Sequence, residues 1–190
     1  MTILERLKSE TRELHEQLER RVDIPRRLQN RNAYRELLSA FYGFYAPLER
    51  ELEKFDWAAL GLDWKQRQKT GLLETDLHAL GVDPATLPIC NSLPQLHDPA
   101  EALGCLYVLE GATLGGQIIQ KELATRLQIE AATGGAFFRS YGDRVGAMWA
   151  EFRQAVVRSA ESTQTQDAVV TAAEDTFQKL DDWLAARVSI

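Results

Sequence analysis

Tyr107-Val-Leu-Glu-Gly111-Ala-Thr-Leu-Gly115-Gly116-Gln117 is the stretch on which the reading of this chain turns. Its apolar flank (Leu106, Val108, Leu109, Leu114, Ile118 and Ile119) belongs to a helix opened by Asp98-Pro99, a cap followed by proline at the first helical position. That helix should run to about residue 127. Glycine costs ~1 kcal/mol per interior helical position relative to alanine. Three of them within six residues, Gly111, Gly115 and Gly116, therefore require something to approach the backbone closely. One candidate is a neighbouring helix, for which Gly111-x-x-x-Gly115 is the small-residue spacing. The other is a flat ligand. A phosphate-binding loop is a poor third, because the GxxxxGK[ST] spacing and a preceding strand are both missing.

Helical periodicity continues on either side. Thr2-x-x-Glu5 is a capping-box pattern, and Leu4, Leu7, Thr11, Leu14, Leu18 and Val22 then form one buried stripe, with Pro25 expected to end the helix. A second helix, from near Asn32, carries Tyr34, Leu37, Leu38, Phe41, Phe44 and Tyr45, and Pro47 is expected to kink it. A third spans roughly 65–80 and stops at Gly81, a C′ residue. Residues 82–97, with three prolines, read as an extended loop. Gly134-Gly135 is a break, followed by helices at about 143–160 and 166–188. No persuasive period-2 segment appears, so the chain is expected to be all-α, a single domain spanning 1–190 with a kinked, glycine-rich helix.

With 190 residues, 45% of them apolar, the chain is long enough to bury a substantial core. A net charge of −6 argues against a general nucleic-acid binder, which needs basic surface to displace counterions. Cys90 and Cys105 have neither disulfide-framework nor zinc spacing. No stretch approaches the apolar length needed to cross a bilayer, and the N-terminus lacks a signal-peptide core. No membrane association and a cytoplasmic location are the expectations.

On the N-terminal helix, His15 and Glu19 are four residues apart and meet on one face. A ligating imidazole usually donates its other ring N–H to a carboxylate, which fixes its tautomer, and Glu19 is placed to accept it. Lys8 lies two turns earlier on nearly the same face, roughly 10 Å along the axis. Taken alone, this spacing is read more simply as a surface hydrogen-bond pair than as a metal site. His78 and His97 receive no role.

With both segments in view, the chain resembles the heme oxygenases, particularly the short bacterial forms associated with biliverdin supply. The likeness covers most of the chain. It rests on Leu7-Lys8-Ser-Glu-Thr11-Arg12-Glu-Leu14-His15-x-x-x-Glu19 and, most specifically, on residues 106–117, supported by Tyr34-x-x-x-Leu38-x-x-x-Tyr42, Phe137-Phe138-x-x-Tyr141-Gly142 and Trp149-x-x-Phe152. The resemblance implies His15 as the proximal iron ligand and Glu19 as its partner. Lys8 and Tyr107 match positions that contact heme propionates, and Arg12 adds positive potential at the heme edge. Gly111, Gly115 and Gly116 match the distal helix, where absent side chains let backbone lie over the porphyrin and bound O₂.

It further implies oxidative opening of heme, at once cofactor and substrate, to biliverdin, iron and carbon monoxide. O₂ is the co-substrate, and electrons come from an external reductase, ferredoxin or flavodoxin. A biliverdin-binding photoreceptor is an implied downstream partner. Animal members carry an aspartate directly after the first distal glycine, where this chain has Ala112. That leaves the proton route to backbone carbonyls with ordered water, or to Thr113 and Gln117. The alternative reading is a non-catalytic heme or tetrapyrrole carrier of the same fold, and a third is a helical interaction protein without heme.

Overall fold

The computed structural model describes residues 1–188; residues 189 and 190 of the domain expected to span 1–190 lie outside the described part. The architecture is helical, with no strand among the described residues. Helix α1 (Ile3–Glu10) starts with the capping box read from the sequence, Thr2 accepting from the Glu5 N–H and Glu5 from the Thr2 N–H. The expected single N-terminal helix is two, because α2 (Arg12–Val22) begins anew after Thr11, whose hydroxyl donates back to the Leu7 carbonyl at 2.6 Å. Such back-bonding bends helices. Pro25 does not end α2. Asp23 does so by taking a left-handed conformation (φ 43°), and Pro25 then sits in the first turn of α3 (Ile24–Arg27).

Helix α4 (Arg31–Leu52) continues through Pro47. Proline deprives the Gly43 carbonyl of its helical donor, and the Cys90 N–H takes that place at 2.8 Å. The loop containing three prolines is thereby stitched to the helix. The helix expected over 65–80 is split into α5 (Trp64–Arg67) and α6 (Thr70–Ala79). The buried Glu49 carboxylate on α4 causes the split, drawing in the N–H groups of Lys69 and Thr70 at the start of α6.

The glycine-rich segment forms α7 (Pro99–Gly111), a 3₁₀ turn (Ala112–Gly115) and α8 (Gly116–Leu127). Together Pro99–Leu127 is long and apolar enough to cross a bilayer, contrary to the expectation that no stretch would be. Its apolarity instead serves the core: 56% of the apolar window is buried within the fold. Helix α7 packs tightly on α11 (Thr163–Ala185), where a Cβ on Gly104 would overlap the Val169 carbonyl. Between these come α9 (Ala136–Arg139), capped by Asp76 accepting from the Ala136 and Phe137 N–H groups at 2.8 Å each, and α10 (Val145–Ser159). The first two helices run alongside α11, tied by Arg6 to Asp167 at 2.8 Å and by Arg21 and Gln17 to Asp181.

Candidate functional site

His15 projects from α2 with its side chain half exposed. Its ring stands edge-on to Phe177 of α11, with centroids 5.7 Å apart. One nitrogen, Nε2, lies 3.6 Å from the Glu19 carboxylate, too far for a hydrogen bond but within reach of a small side-chain movement. A half-turn of the ring exchanges each nitrogen with a ring carbon, Nε2 with Cε1 and Nδ1 with Cδ2, so it would turn Nε2 away from Glu19. Among the described residues no three His, Cys, Asp or Glu side chains gather into a metal cage. A lone imidazole of this kind suits a metal that arrives with its other ligands already in place.

The three glycines around the 3₁₀ turn divide. All have right-handed backbone angles, so none is needed for a left-handed conformation. A Cβ on Gly111 would meet nothing within 4 Å, and one on Gly115 would reach only the end of Ile119. A Cβ on Gly116 would overlap the Phe138 carbonyl. The glycines are therefore of two kinds, one closely packed and two open. Gly116 is packed against the Phe138 backbone, while Gly111 and Gly115 leave bare backbone open. Leu114 and Ile118 flank that backbone with 48% and 73% of their surface exposed, among the few large apolar side chains left uncovered. Bare main chain bordered by exposed apolar groups suits a flat hydrophobic ligand.

The Tyr107 ring packs on Trp149 of α10, with centroids 5.8 Å apart. Burial pushes the Tyr107 pKa up. Lys8 lines a groove of about 610 Å³ between α1 and α10 together with Arg153 and Val157. Arg153 joins Lys8 as a second cation lining this groove; nothing in its sequence context had singled it out. Arg12 is exposed on α2.

Of the two side chains suggested for proton delivery, Thr113 is committed, its hydroxyl donating to the Glu110 carbonyl at 2.7 Å. Gln117 is exposed. Sequence reasoning also missed a buried cluster directly behind the turn. Arg67 donates to Glu110 at 2.6 Å, Tyr141 donates to the other Glu110 oxygen, and Lys69 donates to the Tyr141 hydroxyl at 2.7 Å. Burial pushes Glu110 up against the pull of both cations and brings Lys69 down to about 8. The one available signal was an acid within an otherwise apolar run, Leu106 to Leu114.

Comparison with known proteins shows the family and the fold. The heme oxygenase family model matches residues 1–186. A heme oxygenase of Xanthomonas campestris pv. campestris (strain 8004) is 28% identical over 157 residues, covering 82% of this chain and 90% of the relative. Among solved structures, the NO- and CO-bound heme oxygenase of Neisseria meningitidis superposes with a TM-score of 0.85 at 18% identity, covering 99% of this chain and 92% of that one. The heme oxygenase of Leptospira interrogans gives 0.78 at 18% identity, with 98% and 100% covered. At that identity the two structures speak for the fold.

Proposed function

Since the chain belongs to the heme oxygenase family, enzymes of heme degradation, we propose that it opens heme at a meso carbon to biliverdin, iron and carbon monoxide, using O₂ and electrons from a separate donor. The observation that carries this reading is that α2, offering a half-exposed imidazole, and α7, which ends in bare backbone, both pack on α11. When bound, heme supplies both the iron that activates O₂ and the ring that is cut.

His15 provides a neutral nitrogen ligand, and Glu19 accepts from its other ring N–H, holding tautomer and ring orientation. Gly111 and Gly115 keep side chains away, so that backbone alone would line the distal side of the bound heme. Leu114 and Ile118 exclude water at its edge. Lys8, Arg153 and Tyr107 attract the carboxylates of the ligand, with Arg12 adding positive charge. With Ala112 supplying no acid and Thr113 already engaged, protons reach the site through water held on carbonyls of the turn. The exposed Arg12 and Arg20 form the docking surface for the electron donor, a reductase, ferredoxin or flavodoxin. Charge reversal there is expected to slow reduction more than heme binding.

The test is turnover: hemin is added, then a reductant under air, and pigments are separated by chromatography. Loss of the heme band with formation of biliverdin is expected. A heme band that persists without bile pigment would favour the non-catalytic carrier.

A further inference from the structure

A charge cluster with almost no solvent contact lies behind the 3₁₀ turn. Arg67 is fully buried, and Lys69, Glu110 and Glu49 are nearly so. Desolvating such groups costs several kcal/mol per ion in real proteins, and apolar residues often stabilise as well or better. The arrangement therefore calls for a purpose other than stability.

Its connections suggest one. Glu110 is the last side chain before Gly111, and its two carboxylate oxygens are held separately, one by Arg67 of α5 and one by Tyr141. Arg67 also reaches the Met148 carbonyl of α10 and the Glu151 carboxylate at 3.1 Å. Lys69 bridges from the Tyr141 hydroxyl to the Arg67 carbonyl at 2.6 Å. On the other side of the turn, the Phe138 carbonyl presses on Gly116. Tyr141 and Phe138 are three residues apart in one segment, so a single piece of chain grips the kinked helix just before and just after residues 111–115.

We propose that Glu110 is a positioning residue: held by Arg67 and Tyr141, it fixes, together with the Phe138–Gly116 contact, where the bare backbone of residues 111–115 stands. Its consequence for catalysis rests on the heme reading above; the clamp itself does not. A helix that must stay bent over a ligand with no side chains to wedge it needs such anchors, because glycine backbone is the most easily displaced.

Amide hydrogen exchange on the heme-free protein tests the clamp. Tyr141→Phe removes one hydroxyl and Glu110→Gln the charge. In both, amides of residues 112–118 should exchange about tenfold faster or more, as expected for loss of a buried hydrogen bond to a charged group, with α4 and α11 unchanged. In the hemin-loaded CO complex the C–O stretching frequency should shift relative to wild type. Wild-type exchange over 112–118 in both variants, or acceleration spread equally over every helix, would overturn the proposal. If Glu110→Gln fails to fold, Tyr141→Phe decides alone. Failure of the wild-type protein to bind hemin would sink the functional reading and leave the exchange result standing.

Discussion

Helix α2, which carries His15, is tied to α11 by the Arg21–Asp181 ion pair, the Gln17–Asp181 hydrogen bond and one aromatic edge contact. The turn at 112–115 is fastened by a fully buried charge cluster and by a carbonyl seated on a glycine. On the function proposed above, the difference follows from what each wall would have to do. An imidazole bound to iron is positioned by the metal bond itself, so its helix needs little prior rigidity. Bare backbone makes no strong bond to anything, and its place must be set from behind.

The comparison breaks most readily at the buried cluster. Arg67→Met should leave Glu110 without its main counter-charge and lower stability by about 3–5 kcal/mol, read from denaturant unfolding. An effect under about 1 kcal/mol would mean the cluster carries no stress and the rigid wall is illusory. Next is Gly116→Ala, whose methyl must displace the Phe138 backbone. Overpacking of this kind costs typically 1–3 kcal/mol, whereas Gly111→Ala, facing open space, should change heme-free stability by less than about 1 kcal/mol and on the stabilising side. Equal losses from the two glycine variants would erase the distinction between packing and bare backbone.

The α2 wall should respond to acid. Arg21, then Gln17, hold the Asp181 carboxyl below its ordinary value of 3.8. That contribution to stability is present above pH 3.8 and is lost as pH falls through the lower folded value. The melting temperature should therefore fall less between about pH 6 and about pH 3 in Asp181→Asn than in wild type; parallel curves would show that the ion pair does not hold α2. The smallest effect belongs to His15→Ala, which should change heme-free stability by less than about 0.5 kcal/mol because the side chain is half exposed.

The same contrast explains what the sequence could and could not convey. The capping box at Thr2, the Asp98-Pro99 start and the glycine break were legible because each is a local rule acting within a few residues. The split at Gln68-Lys69 was not, because it depends on Glu49, twenty residues away, reaching the backbone of another element. The continuity of α4 through Pro47 likewise depends on Cys90 arriving from a distant loop. In the site, His15 and the glycines stood out by residue type and spacing. Gly116 could not be separated from Gly111 in one dimension, since the distinction lies in the Phe138 backbone. Arg67, Lys69 and Tyr141 converge on Glu110 from separate segments, with no shared pattern to betray them.

The most direct test of the two-walled site is the absorption spectrum of the hemin-loaded protein compared with that of hemin-loaded His15→Ala. The wild-type protein should show a sharp Soret band that is lost or shifted in the variant and restored by added imidazole. Identical bands in the two proteins would contradict the assignment of His15 to the iron.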